Sequence, residues 1–377
     1  MNFESFKKSY YQAQTAYLHD LLHGTNDYPT RQEALHRLLK TSTKKDPFLM
    51  QLRVQTEPRI ESLKATLKTG SLPKDKQIMK HTELLKRRDQ LAKDEGFDDY
   101  KAMMMDFDDV KEIHLKTMLA VFLKKHQKPR QTLMNRYHLT ADNFYEILPT
   151  IGPTIKEKDP KAFLRKIQKK LDLSLDTQPL TFITDATGAT FKTIQPNPKE
   201  IQLLTPKIHS LIQLKNFIHE LSKSILMLYR LQSSQTTFLR CQKIWGLSRL
   251  IEMAIINRVC TRKERRWLTK ILMLENAYHS IHALFEFDLP NQKKSASEYY
   301  QSLVSEVFDI DDETRWAYEQ AMIKTPLTQM MLPLGTIAYQ NLSTIHKADK
   351  SAKLAFGPWL EDNLLDRIDE VEMNTIL

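Results

Sequence analysis

Eight glycines in 377 residues restrict what this chain can fold into more than any other feature. Glycine supplies the positive-φ positions of tight hairpins and lets backbone approach a phosphate closely. A chain this poor in it cannot be rich in either device, and its abundance of Leu, Lys, Gln, Met and Ala favours helix. Four Trp, 16 Phe and 13 Tyr within a hydrophobic fraction of 41% are ample for a core, so disorder is not expected. The length suits one large or two ordinary domains. The expected class is mainly α.

Other classes lose ground on composition. No apolar run approaches the roughly 18–20 residues that span a bilayer. The opening M-N-F-E-S-F-K-K-S-Y-Y lacks the apolar centre of a secretory signal, so a cytoplasmic location is expected. Cys241 and Cys260 lie far apart, outside any C-x-x-C pattern, which points to a reducing compartment without a disulfide framework. A net charge of +10 admits a nucleic-acid or membrane-surface role. The lysines, however, are scattered along helical segments; this reads as a solvated basic surface and argues against nucleic acid.

Helical spacing runs through 4–23, 30–40, 47–69, 75–95, 109–126 and 140–147, with Gly96 at a plausible C-cap. Residues 149–160 read as a loop, and Asp159-Pro160 starts a basic amphipathic helix to about Leu171. Between Pro179 and Gln195, two short β-branched runs flank D-A-T-G, a hairpin signal. Helix is expected again from about 205 to 230 and through most of the remainder. Thr261 with Glu264, and Ser295 with Glu298, have capping-box spacing. R-K-E-R-R-W (262–267) could touch phosphates, but a capped, solvated helix start is the preferred reading. His279 and His282, three apart, could pair on a metal, yet no third ligand is evident.

The chemistry-bearing stretch is N-F-I-H-E-L-S-K-S-I-L-M-L-Y, residues 216–229. An H-E-x-x-H helix sets two histidines one turn apart to ligate zinc, with the glutamate as general base. His219 and Glu220 are present here, but the second histidine position holds Lys223. On a helix, Lys215 and Lys223 flank His219 one turn away on either side. Two ammonium groups beside a lone imidazole oppose a dication, and Glu220 with Lys223 is spaced for an ion pair.

The surroundings of this pair resemble those of the thimet oligopeptidase and oligoendopeptidase F-like zinc peptidases. L-L-T-P-K-I-H-S-L-I-Q-L-K-N-F-I-H-E (203–220) is similar to the lead into that family's H-E-F-G-H helix. G-L-S-R-L-I-E-M (246–253) resembles its E-x-P-S-Q-x-x-E, and H-A-L-F-E-F-D-L (282–289) its A-L-F-D segment. S-A-S-E-Y-Y-Q-S-L-V-S-E-V-F (295–308) is similar to G-Y-D-A-x-Y-Y-x-Y-L-W-S-E-V-Y, and R-R-D-Q-L-A-K-D-E-G-F-D-D-Y (87–100) to a helix ending A-x-x-x-G-F-x-x-Y. The blocks occur in family order over roughly 84–310.

The resemblance implies a shortened thimet oligopeptidase-like helical fold with a central cleft and a small β-hairpin. It divides the chain into an N-terminal helical region (1–150), a degenerate metallopeptidase-like region (151–310) and a C-terminal helical region with an acidic tail (311–377). By motif, His219 matches the first zinc ligand and Glu220 the general base. Lys223 replaces the second ligand, Trp245 falls at the third, and Glu252 matches the outer glutamate. Tyr299 and Tyr300 match tyrosines that would contact peptide, whereas Ser295, Ala296 and Ser302 stand where further Tyr or Gly would be expected.

The implied function is non-catalytic: a peptide- or protein-binding relative with vestigial His219 and Glu220, no bound cofactor, and Lys223 neutralising Glu220 and Glu252. The rival is a zinc peptidase with rewired ligands, His219 and Glu252 plus a histidine from elsewhere, with Glu220 as base. A third reading is an adaptor or secreted effector acting through another surface. The acidic stretch from Glu361 to Leu377 resembles the glutamate-rich C-terminal signals of type IV-secreted effectors, although an acidic amphipathic closing helix, Trp359 to Met373, is the preferred reading.

Overall fold

The structure is a computed structural model, and it describes residues 66–67, 72–94, 97–102, 112–139, 153–184, 191–197, 199–232, 241–289, 292–310, 312–319, 322–323 and 327–348. The expected helices at 4–23, 30–40 and 140–147, nearly all of 47–69, the D-A-T-G turn and the acidic tail lie outside these residues.

The described chain is mainly helical. Helices α1 (Lys74–Asp94), α2 (Glu112–Lys125) and α3 (Gln127–Arg136) precede α4 (Pro160–Leu171), α5 (Leu211–Gln232), α6 (Cys241–Arg258), α7 (Arg262–Asp288), α8 (Ala296–Phe308) and α9 (Met331–Ala348). Among the described residues, no helix is long and apolar enough to cross a membrane.

Local chemistry explains several boundaries. The Asp159 carboxylate accepts from the amides of Lys161 (3.1 Å) and Ala162 (3.2 Å), and Pro160 occupies the first helical position, where no amide partner is needed. This start is where the sequence places it. Both expected capping boxes form: Thr261 donates its amide to Glu264 at 2.8 Å, and Ser295 donates to Glu298 at 2.9 Å.

The expected hairpin is corrected. Strands β2 (Leu180–Thr184) and β3 (Lys192–Asn197) both exist, but they do not pair with each other. A strand between them, β4 (Glu200–Thr205), runs parallel to β2 and antiparallel to β3. In β4, Ile201, Leu203 and Thr205 are buried and alternate with residues facing the other way, a period-2 pattern that cannot continue a helix. Pro196 lacks an amide to give the ladder, and β3, with its register break between Ile194 and Asn197, lies at the sheet edge. The expected loop at 149–160 also contains β1 (Thr154–Lys158), antiparallel to the short β5 (Ile208–Ser210). Helix α5 therefore starts at Leu211 and not near 205.

Helix α5 is the packing axis. Leu214, Phe217, Ile218, Leu221, Ile225 and Leu228 are fully buried, and the helix packs against α6, α7, β3, β4 and β5. Helix α6 also packs closely against α9. A Cβ on Gly335 would stand 2.2 Å from the carbonyl oxygen of Gly246, so the two backbones meet with no room for a side chain. This close approach seats α9 directly on the helix that carries Trp245, Arg249 and Glu252.

Candidate functional site

Helical spacing builds the site. Lys215, His219 and Lys223 follow each other at intervals of four on α5, so they share one face. Helix α6 brings Trp245, Arg249 and Glu252 to that face, and α7 brings Glu275. The His219 Nδ1 lies 3.1 Å from Glu252 Oε2, and the imidazole sits 5.9 Å from the Trp245 ring centre. Lys223 donates to Glu220 Oε1 at 2.6 Å and places its ammonium 4.4 Å from the centre of the Trp245 ring. The residues that the motif aligns with the ligand positions, 219, 223 and 245, therefore converge, with Glu252 beside them.

A second layer lies behind. Arg249 is 3.3 Å from Glu252 and reaches Glu275 at 3.4 Å; Lys215 also pairs with Glu275. Three cations (Lys215, Lys223, Arg249) thus face three carboxylates (Glu220, Glu252, Glu275). The expected neutralisation of Glu252 by Lys223 is corrected, since Arg249 is the cation beside it and His219 lies at hydrogen-bond distance from the same carboxylate. Arg249 and Glu275 were not singled out in the sequence. Arg249 does stand three residues before Glu252, the spacing of a helical ion pair. Glu275 lies 60 residues from Lys215 and carries no local signal.

These partners set the charge states. Burial alone would raise the Glu220 carboxyl, but Lys223 holds it below the usual carboxylate range. Burial likewise opposes ionisation of Glu252 and is overcome by Arg249 and His219. At Glu275, Lys215 and Arg249 outweigh burial and push the carboxyl down to about 2. Burial depresses His219, with Glu252 opposing, so its imidazole is neutral at pH 7. Glu220 has a structural task as well: its Oε2 accepts the Thr193 amide at 2.9 Å, and its backbone carbonyl accepts the Thr193 hydroxyl at 2.9 Å. It fastens edge strand β3 to α5.

Zinc, which the peptidase motif implies, needs three protein donors around one point with a position left for water. Here the three aligned positions offer one imidazole, one ammonium and one indole, and an arginine already engages the nearby carboxylate. Among the described residues, no three His, Cys, Asp or Glu side chains are grouped to hold a metal. This donor set does not fit the ion.

The other sequence candidates lie elsewhere. Tyr299 and Tyr300 belong to a different apolar cluster, around Phe285 and Trp316. The Tyr299 hydroxyl donates to Asp288 at 3.3 Å, and the Tyr300 hydroxyl lies 3.2 Å from His282 Nε2. Tyr300 is 1% exposed and Tyr299 8%, so both are core aromatics here and present little surface to a peptide. His279 and His282 are not a metal pair: His279 Nδ1 faces Gln329 at 2.7 Å, and His282 Nδ1 faces the Tyr278 carbonyl at 2.9 Å. Glu264, at the start of 262–267, caps its helix and pairs with Lys158 at 2.7 Å.

No family model and no curated protein matches the sequence. Solved structures do match the fold. PZ peptidase A with inhibitor 2 aligns over 95% of this chain and 74% of its own, at 13% identity and a TM-score of 0.52. A Chlamydophila abortus protein named as a peptidase aligns over 80% of this chain at 12% identity and a TM-score of 0.51. Only 56% of that protein is covered, so this chain spans just over half its length. At such identities the likeness establishes architecture: the chain has the mainly helical fold of these peptidases.

Proposed function

We propose that this protein is a non-catalytic relative of the peptidases whose fold it shares, a module that binds peptide or protein without cutting it. The observation that carries this reading is Lys223, with its ammonium 2.6 Å from Glu220 and 4.4 Å from the Trp245 ring centre. A cation at the second ligand position repels the dication that the reaction requires. It also holds Glu220 ionised in an ion pair, and a carboxylate so depressed is a weak base. Charge balance across three cations and three carboxylates supports the same reading, because the cluster's carboxylates are already matched by cations.

Metal analysis and peptide turnover test it together. After exposure to zinc and removal of excess, the purified protein carries well under one equivalent, and quenched-fluorescent peptides bind saturably without cleavage. The Lys223→His, Trp245→Glu double variant restores an imidazole and a carboxylate at the converging positions and gains zinc. Stoichiometric zinc on the wild-type chain overturns the proposal, as does chelator-sensitive cleavage that Glu220→Gln abolishes.

A further inference from the structure

Away from the polar cluster, α1, the end of α7 and residues Met322 and Leu327 line a half-open cavity of about 260 Å³. It lies near Glu286, eleven residues beyond Glu275, roughly 16 Å along the same helix. A cavity of about 150 Å³ holds a benzene ring, so this one has room for a body of roughly ten non-hydrogen atoms.

Its chemistry is lopsided. Arg88 lines the cavity and is 1% exposed, yet the hydrogen-bond partners of its guanidinium among the described residues include no carboxylate. It donates instead to two backbone carbonyls, Met322 at 2.8 Å and Ile323 at 2.7 Å. Its Nε–H has no acceptor among the described residues. The Tyr100 ring lies 5.3 Å from the guanidinium centre and offers only its π face; a buried cation without a carboxylate is costly unless something neutralises it.

Glu286, on the same wall, does not serve as the counter-ion. Both its oxygens sit 3.0 Å from the Leu327 amide. Desolvation pushes its carboxyl up to about 8, against the pull of the Leu327 amide and Arg88 and with help from Glu319. At neutral pH it is mostly an O–H donor. Lys86 and Lys101 also line the cavity, and one carboxylate, Asp89, opposes them while accepting the Tyr100 amide at 3.2 Å.

Backbone geometry adds an independent sign. Leu327 holds φ at 61°, the left-handed region that a leucine rarely adopts. Strained residues of this kind cluster at ligand clamps. Here the strained residue supplies both an apolar wall and the amide that anchors Glu286. Leu85, Tyr100 and Met322 complete the largely apolar lining.

We propose that this cavity is a binding site for a small monocarboxylate with a compact apolar body. The carboxylate neutralises Arg88 and accepts from the Glu286 hydroxyl, and the apolar body fills the space beside Leu85, Met322 and Leu327. Two sources offer this chemistry: a free short-chain acid and the C-terminus of a peptide ending in an apolar residue. The site is independent of the polar cluster on α5 and α6.

Calorimetric titration of the full chain with sodium hexanoate, N-acetyl-leucine and hexanamide tests the proposal. At least one carboxylate binds saturably, and hexanamide binds about tenfold more weakly or less, having lost a charge-assisted hydrogen bond. Leu85→Trp fills the cavity and abolishes binding. Arg88→Gln is the second variant, weakening hexanoate by about tenfold or more if Leu85→Trp proves poorly folded. Binding of hexanoate alone assigns the free acid, and binding of N-acetyl-leucine alone assigns the peptide terminus. Hexanamide binding as tightly as hexanoate overturns the proposal. So does binding unchanged in a folded Leu85→Trp, or silence from both carboxylates at about 10 mM.

Discussion

Glu275 and Glu286 are the same side chain on the same helix, both largely removed from water, and they end in opposite charge states. The first is pushed down to about 2 and the second up to about 8. Burial raises both, so the difference lies in what faces them. Glu275 meets Lys215 and Arg249 directly. Glu286 has the Leu327 amide and the more distant charge of Arg88, which is committed to backbone carbonyls. A desolvated carboxyl is thus an ion where a cation touches it and an acid where none does.

The largest effect expected from this contrast follows removal of Glu275. Glu275→Ala takes from Lys215 its ion-pair carboxylate and from the buried Arg249 one of two, leaving Arg249 with Glu252. Breaking a buried pair in this way costs about 3–5 kcal/mol. Glu286→Gln keeps an acceptor for the Leu327 amide and releases no proton on unfolding, so it costs within about 1 kcal/mol near pH 4.5 and raises stability at pH 7. Denaturant midpoints for the two variants measure the gap. Equal losses would show that the two ends of α7 do not differ as described.

The pH dependence separates the same two residues with opposite signs. Glu275 is depressed on folding; its contribution is present above the ordinary carboxylate range and is lost as pH falls from about 4.5 toward 2. Glu286 is raised on folding, so the native state keeps a proton that the unfolded chain releases. Its contribution is full below about pH 4.5 and drains away as pH rises to about 8. Against Glu286→Gln as the reference, the wild-type chain should lose several kcal/mol between pH 5 and 8. Subtracting the variant removes the histidines, His279 and His282 among them, which burial depresses to about 4. A difference that stays flat over this range would return Glu286 to the ionised class.

Much of this was legible in the sequence where the physics is local. Capping boxes act within four residues, so Thr261, Ser295 and the Asp159-Pro160 start could be read directly. Convergence of His219 and Lys223 follows from helical spacing, and motif order added Trp245 and Glu252. Strand pairing was not legible. The D-A-T-G turn signal pointed to a local hairpin, but β2 joins β4 in parallel, a contact that no turn encodes. The buried network shared that fate: Lys215 and Glu275 are partners only because α5 and α7 pack together. Neither the strained Leu327 nor the carboxylate-free Arg88 left any trace in the pattern of residue types.

The smallest expected effect concerns the pair that first drew attention. Lys223 and Glu220 keep side-chain exposures of 19% and 16%, and Lys223 also rests on Trp245. Replacing it as Lys223→Met removes one charge while leaving the apolar stem to cover the indole. Glu220 retains the Thr193 amide and enough contact with solvent to stay charged. The loss should therefore be about 1 kcal/mol or less, near the range for partly exposed pairs and well below the loss at Glu275. What should move more is the Glu220 carboxyl, which rises toward its ordinary range once its cation is gone. A carbon-13 titration of Glu220 in Lys223→Met, set beside the denaturant midpoint, reads both quantities. A loss as large as that of Glu275→Ala would mean that the pair is buried as deeply as the network behind it. The contrast between an outer pair that tunes one carboxylate and an inner network that holds three helices together would then fail.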